Sequence, residues 1–457
     1  MSMMKQFREP LRLFSPVPAL LACMLAMFCG RADAASRQET NTWNEIRNLA
    51  ADEAVSRTAW AVVETKCEGF IEKFPKSEFV PNVFGIEAQS LFRQGKWDAV
   101  IAKFSNAPTN ALKMADRLAY WTARSFLEKE DYRAAAENFA RLGRDYPASQ
   151  LRLEAIYREC EAYAKMDEWQ RVVEELRESN GAFQQLAKTN SNNQWVVSGS
   201  LLLGEAELAR KDFSGAKKIL SGIPVQTRPE LEWERQFLLC RAKVESGAVK
   251  EALLATTNLL TAASGKSEWT AKSIILKGEI YERLGQLAEA AQTYESNIGG
   301  DLPADQRQQA LIRIVELTLR QQDKMDEAAQ KLSDYLAKYQ GEKGSDFEWL
   351  MLGELALKKA FLTSQSPTPA DQGTNLLQQA EESFLKIKGF TNSAYLGKAE
   401  LDLGWCYAKQ GKTPESIAAF SNAVAQLPFS EDQAVARFKL ADTLFLQGDF
   451  GGAKTNY

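Results

Sequence analysis

Small residues flanked by bulky apolar ones mark this chain at a regular interval. Taking the small residue as reference gives Val63, Val100, Ala135, Val172, Ala216, Ala252, Ala290, Ala328, Ala380, Ser416 and Ala453. Neighbours are separated by 37, 35, 37, 44, 36, 38, 38, 52, 36 and 37 positions. Eight of the ten intervals fall between 35 and 38, so the period is real and the two long ones contain insertions. Four positions after the reference come Phe104, Phe139, Leu176, Leu220, Tyr294, Leu332, Phe384, Phe420 and Tyr457. Cys67 is smaller in that place, and Thr256 is a poor match. Three positions before it come Trp60, Trp97, Tyr132, Trp169, Phe213, Val249, Leu287, Met325 and Phe450. A stripe at i−3, i and i+4 has the period of a helix face, not of a strand.

Twelve positions before the reference a second small residue recurs: Ala88, Ala123, Cys160, Gly204, Cys240, Gly278, Gly404 and Ala441. A large side chain there would hold apart two helices that must touch. Between the two runs lie turn signals: Gln94-Gly95-Lys96, Ser246-Gly247, Leu284-Gly285, Gln410-Gly411 and Gln447-Gly448. Glycine supplies the left-handed conformation that ends a helix. Phe74-Pro75, Tyr146-Pro147 and Leu427-Pro428 close their units, because proline cannot continue a helix. The pattern predicts an all-α solenoid of antiparallel helix hairpins, about eleven units over residues 35–457. The interruptions fall near 178–198, around the polar run Lys188-Thr189-Asn190-Ser191-Asn192-Asn193, and near 362–374, around Ser364-Gln365-Ser366-Pro367-Thr368-Pro369. Both read as loops, the second lying inside a hairpin that begins at Leu352-Gly353.

These residues resemble the tetratricopeptide repeat. The clearest copies are Leu403-Gly404…Tyr407…Gly411…Phe420…Ala423…Pro428 and Gly278…Tyr281…Gly285…Ala290…Tyr294. The resemblance covers nearly all of the chain after residue 34. It implies a right-handed superhelical solenoid whose first helices line a concave surface that takes other proteins or peptides. The closes Phe74-Pro75-Lys76-Ser77 and Tyr146-Pro147-Ala148-Ser149 are similar to those of bacterial periplasmic members. Among these are the outer-membrane assembly lipoprotein of this type and the Tol-Pal coordinator. In the family, positions three before, one after and five after the small slot tend to face the concave surface. Carried over, they are Tyr120, Arg124 and Glu128, then Tyr157, Glu161 and Lys165, and further on Trp405 and Lys409. Aromatic residues beside arginine suit an interface hot spot, and mixed charge suits a peptide or helix. The two tyrosines would equally serve to pack neighbouring repeats.

Charge and composition narrow the function. The chain carries 56 basic and 60 acidic side chains; without residues 1–34 the balance is 52 against 58, net −6. A mildly acidic body without a basic cluster argues against nucleic acid as partner. Histidine is absent, which removes imidazole acid–base chemistry, histidine-dependent triads and histidine metal ligands. Carboxylate or lysine chemistry stays formally open, but Glu174-Glu175 and Glu381-Glu382 read as solvated helix faces. No cofactor or metal site is expected. Cys67, Cys160, Cys240 and Cys406 all fall on the helical template, as buried thiols or, after export, as disulfide partners.

The start of the chain has the form of an export signal. Lys5, Arg8 and Arg12 precede the apolar run Val17 to Phe28, and Ala32-Asp33-Ala34 is an A-x-A cleavage site. Cleavage before Ala35 implies a periplasmic or secreted protein. Outer-membrane association is a variant of that reading. An uncleaved anchor, or lipidation at the lipobox-like Leu20-Leu21-Ala22-Cys23, would add membrane contact. The last unit, with Phe450, Ala453 and Tyr457, stops inside a second helix, so the natural chain is expected to continue. The sequence therefore reads as a non-enzymatic interaction scaffold of the bacterial cell envelope. The alternative is the front end of a cell-wall lytic enzyme whose catalytic domain lies beyond residue 457.

Overall fold

The computed structural model describes residues 37–457 apart from 52–55, 192, 300–301, 322–323, 343 and 364–369. The export-signal segment 1–34, with Cys23 and Cys29, lies outside the described residues. Among the described residues there are 23 α-helices, one six-residue 3-10 segment (Thr109–Met114) and no strand.

Each of the eleven reference residues sits on its own helix. These second helices are α2 (Arg57–Lys73), α4 (Trp97–Phe104), α6 (Tyr132–Asp145), α8 (Trp169–Arg177), α11 (Phe213–Gly222), α13 (Val249–Ala262), α15 (Leu287–Glu295), α17 (Met325–Lys338), α19 (Ala370–Ile387), α21 (Thr413–Gln426) and α23 (Phe450–Asn456). The first helices are α1 (Arg37–Ala51), α3 (Val80–Arg93), α5 (Ala115–Glu128), α7 (Arg152–Lys165), α10 (Gln194–Ala209), α12 (Pro229–Glu245), α14 (Ser267–Arg283), α16 (Ala304–Leu319), α18 (Ser345–Thr363), α20 (Leu396–Lys409) and α22 (Glu431–Gln447). One further helix, α9 (Ala182–Thr189), belongs to no hairpin. The chain divides between Ser246 and Gly247 into an N-terminal and a C-terminal compact unit, each with its own apolar core.

The core follows the template closely. All eleven reference residues are buried, and so are the residues four positions on, from Cys67 through Phe420. Thr256 is buried too, with its hydroxyl donating to the Leu253 carbonyl at 2.7 Å, so the poor match leaves no unpaired donor inside. Tyr457 differs: it is 64% exposed, and its hydroxyl donates to Asp442 Oδ1 at 2.7 Å. The bulky residues three before the reference mostly open the second helix, where one flank still faces solvent. Trp97, Tyr132, Trp169, Phe213, Val249, Leu287 and Met325 are accordingly half-buried.

The small slot is where the two helices of a hairpin meet. A Cβ added at Gly204 would lie 2.5 Å from Leu220 Cδ2. Added at Gly278 or Gly404, it would run into the ring of Tyr294 or Phe420. In each case the obstructing residue is the one four positions past the reference of the same hairpin. Gly353 takes this role in the interrupted hairpin, 2.5 Å from Phe384 Cε1.

The turns follow one geometry whatever residue occupies them. Gly95, Gly247, Gly285, Gly411 and Gly448 all have φ between 74° and 90°. Glu130, Asp167 and Lys211 hold the equivalent place in their hairpins with φ of 62°, 60° and 66°. The next residue then donates its N–H to a carbonyl five positions back, as in Asp131 to Phe126 at 3.0 Å and Lys412 to Tyr407 at 2.9 Å. This bond closes the helix end by satisfying an orphan carbonyl.

One expectation about a loop needs correction, and the bounds of a second are narrowed. The insertion near 178–198 folds in part as helix α9, and Phe183 on it is fully buried against Gly199, where an added Cβ would lie 2.5 Å from the Phe183 ring. Burying one phenylalanine contributes about 1.5–3 kcal/mol toward holding this short segment against its neighbours. In the insertion near 362–374, α18 runs on to Thr363 and α19 already begins at Ala370. The intervening 364–369 lie outside the described residues.

Candidate functional site

In the N-terminal unit, four consecutive first helices carry a connected row of aromatic and charged side chains. Tyr120 on α5 donates its hydroxyl to Glu154 Oε1 on α7 at 2.8 Å and accepts from Arg124 Nη1 at 3.0 Å. The Arg124 guanidinium lies 5.1 Å from the centre of the Phe92 ring on α3 and reaches Glu128 at 3.4 Å. Glu154 Oε1 is also 3.5 Å from Arg158 Nε, and Arg158 Nη1 donates to Glu161 Oε2 at 2.8 Å. The Arg158 guanidinium covers the rings of Tyr157 at 5.5 Å and of Trp195 on α10 at 5.0 Å. The Tyr157 and Trp195 rings are themselves 5.3 Å apart.

This arrangement separates supporting groups from presented ones. Tyr120 is buried at 7% exposure, and that burial pushes its hydroxyl above the ordinary range. It braces α5 against α7. Burial alone would lower Arg158, but Glu161, Tyr157, Tyr120 and Glu154 outweigh it and hold the guanidinium firmly charged. Tyr157 and Lys165 are half-buried, and Glu161 lies at the edge of burial. The structure thus brings Tyr120, Arg124, Tyr157 and Glu161 into one network, with Lys165 as the last residue of the same helix α7. Phe92, Glu154, Arg158 and Trp195 complete it and were not singled out from sequence. The signal available for them was the i, i+4 pair Glu154–Arg158 with Glu161 three further on, the spacing of an ion-pair ladder.

Trp405, on α20, belongs to the C-terminal unit. Its half-buried ring meets Phe361 and Phe420 edge-on at 6.0 and 6.1 Å, and the Lys439 ammonium sits 5.1 Å over it. The Lys409 ammonium lies 4.9 Å from the Phe361 ring. About two turns back on α20, Lys398 Nζ is 3.3 Å from Asp402 Oδ1 and 3.8 Å from Glu354 Oε1 on α18. Burial pushes the Asp402 carboxyl up to about 7 in spite of Lys398.

Other buried acids belong to the framework. Glu87 is paired with Lys103, Glu207 with Arg177 and Arg210, and Glu400 with Lys388. In each case a basic residue from another segment or turn pairs with a buried carboxylate, as burial of charge requires. Glu159 is pushed up to about 8 by burial and by Glu175 nearby. Cys67, Cys160, Cys240 and Cys406 are buried free thiols, and burial pushes Cys240 to about 11 and Cys406 to about 12. No group of three or more cysteine, aspartate or glutamate side chains among the described residues is placed to hold a metal ion. Among them, too, no helix is long and apolar enough to cross a membrane.

Comparison with known families finds three matching segments. Residues 149–320 match a tetratricopeptide repeat-like domain, and residues 118–149 and 401–453 match tetratricopeptide repeats. No curated protein sequence matches the chain. Similar solved structures include a tetratricopeptide repeat protein from Parabacteroides merdae, at 15% identity and TM-score 0.40, covering 60% of this chain and 99% of that one. A signal transduction ATPase with a tetratricopeptide repeat sensor from Pyrococcus horikoshii is 12% identical, with TM-score 0.40 and coverage of 92% and 70%. The Naa15/Naa10 complex bound to HypK-THB gives 13% identity, TM-score 0.34 and coverage of 92% and 62%.

Proposed function

The chain is a tetratricopeptide repeat protein, a repeat scaffold of the kind that binds other proteins or peptides, and we propose that it holds its partners on the first-helix face in the bacterial cell envelope. The observation that carries the binding face is the row on α3, α5, α7 and α10. There, two arginines sit over aromatic rings, each also paired with a glutamate, Arg124 with Glu128 and Arg158 with Glu161. Arginine held against an aromatic ring is already desolvated on one side. A partner that covers the other side therefore meets an ordered group and loses little side-chain entropy. Tyr120 and Glu154 fix the spacing of the row from beneath. Arg124, Glu128, Tyr157, Glu161 and Lys165 make up the contact surface, and Trp405 extends the reading to the C-terminal unit.

The envelope location is supported by the basic start, the apolar run and the Ala32-Asp33-Ala34 site. Mass spectrometry of the protein recovered from fractionated cells tests it. The reading predicts an N-terminus at Ala35 in the periplasmic fraction, and an intact Met1 in the cytoplasm contradicts it. The face is tested by quantitative capture from envelope extracts with Arg124→Gln and Lys165→Glu combined. Tyr120 is left in place because its replacement would unseat α7. Capture is expected to fall several-fold with an unchanged melting curve, and unchanged capture would remove this face from the account.

A further inference from the structure

The hairpin of α22 and α23 leaves open two template positions that earlier hairpins seal. These are the residue three before the small slot and the residue four past the reference. In earlier hairpins both pack against the first helix of the next hairpin. Leu201 and Leu220 share a core with Leu231 and Leu238 of α12. Ile275 and Tyr294 share one with Ala310 and Ile314 of α16. Leu401 and Phe420 share one with Ala436 and Leu440 of α22. All six of these template residues are buried. On α22 and α23 the same two positions hold Phe438 and Tyr457, which are 51% and 64% exposed.

The open face is aromatic. The Phe438 and Tyr457 rings meet edge-on at 5.6 Å, and those of Phe445 and Phe450 at 5.2 Å. Phe445 and Phe450 are 53% and 62% exposed. At ~200 Å² per aromatic side chain, the four rings leave roughly 450 Å² open to water. An apolar patch of that size on one chain is often functional. It also supplies about half of the ~800 Å² that each partner gives to a stable interface.

The stripe complements itself. Ala434, Phe438 and Phe445 are exposed on α22 at helical spacing, i, i+4 and i+11. Two copies of α22 can cross antiparallel about a twofold axis near residues 439 and 440. Each Phe445 then meets the small Ala434 of the second copy, and the two Phe438 rings flank the axis. Large side chains set against small ones let facing helices interdigitate. The first hairpin offers no such complement. Among the described residues of α1 and α2, Leu49 and Val62 are the exposed large apolar side chains. A head-to-tail contact therefore lacks an apolar partner, whereas a like-with-like contact has one.

We propose that the face of α22 and α23 joins two copies of this chain in a twofold-symmetric dimer. The second copy's α22 takes the place that the next first helix takes on earlier hairpins. The contact thus continues the packing that already holds hairpin to hairpin. It does not depend on the partner-binding row of the N-terminal unit.

Sedimentation equilibrium of the full chain should give twice the mass of one copy. Phe438→Glu and Phe445→Glu combined should return it to the mass of one copy, because each sets a charge in the middle of the contact. Both rings are more than half exposed in a single copy, so the variant should keep the circular dichroism spectrum of the parent. Val62→Glu, at a half-exposed position on α2, is the control and should leave the dimer intact. The mass of one copy for the parent at every concentration, or a dimer that survives both glutamates, would overturn the proposal. In cells, a photoreactive residue in place of Phe438 should yield an adduct of two copies of this chain. Adducts only within one copy, or only with a different protein, would equally defeat it.

Discussion

Replacing Gly278 with alanine adds one methyl group in the middle of α14, and its effect has a sign that helix propensity alone gets wrong. In a free helix the change stabilises by about 1 kcal/mol, because glycine has more backbone entropy to lose. Here the new Cβ would overlap the ring of Tyr294, which is fully buried on α15. The ring cannot simply step aside, since its hydroxyl donates to Glu282 Oε1 at 2.7 Å. Overpacking of this kind costs about 1–3 kcal/mol. The net expectation is a destabilisation of up to about 2 kcal/mol, with a larger loss for Gly278→Leu. Gly69, in the interior of α2, supplies the control, because an added Cβ there meets nothing within 4 Å. Gly69→Ala should stabilise by about 0.5–1 kcal/mol. Urea unfolding followed by circular dichroism reads both. In a Tyr294→Ala background the Gly278→Ala penalty should vanish, as a double-mutant cycle requires of two groups in contact. If Gly278→Ala proves as stabilising as Gly69→Ala, the close approach of α14 and α15 is refuted.

Other perturbations follow from the same packing. Glu130→Gly, Asp167→Gly and Lys211→Gly each remove a Cβ from a left-handed turn residue. Each should raise the urea midpoint, with a gain of up to about 1 kcal/mol. Phe183→Ala empties the contact between α9 and Gly199 and should cost about 3–5 kcal/mol in the same assay, whereas a surface loop would lose almost nothing. Glu159 binds its proton more tightly folded than unfolded, being raised from 4.5 to about 8. Its contribution is full at pH values below 4.5 and is lost as the pH rises from there to about 8. Glu159→Gln should therefore match the parent melting temperature at pH 4 and exceed it at pH 8.5, and a constant difference across that range would contradict the shift.

The sequence made the hairpins legible because each apolar position answers to one contact repeated along the chain. Spacing alone placed Ala290, Tyr294 and Gly278 together, and the same rule applied to Gly404 and Phe420. It did not show Glu130, Asp167 or Lys211 as turn residues, since the helix-ending geometry is imposed by the hairpin on both sides and overrides the preference for glycine. Helix α9 is not legible as a helix, because its flanks are polar and its burial depends on one phenylalanine. The candidate face was half legible. Template positions gave Tyr120, Arg124, Tyr157 and Glu161, but which of them is brace and which is surface depends on contacts between hairpins. Glu154 takes the Tyr120 hydroxyl from the next hairpin, and no pattern within one repeat encodes that partner. The same limit hid Asp402, whose depth is set by neighbouring helices.

Site-specific photocrosslinking in living cells tests the central claim most directly. A photoreactive residue is placed in turn at Arg124, Glu128 and Lys165 on the first helices, and at Arg133 and Arg141 on the outward side of α6. The account predicts discrete partner adducts from the first-helix positions and none from α6. Adducts of equal yield from both sets, or from α6 alone, would contradict it.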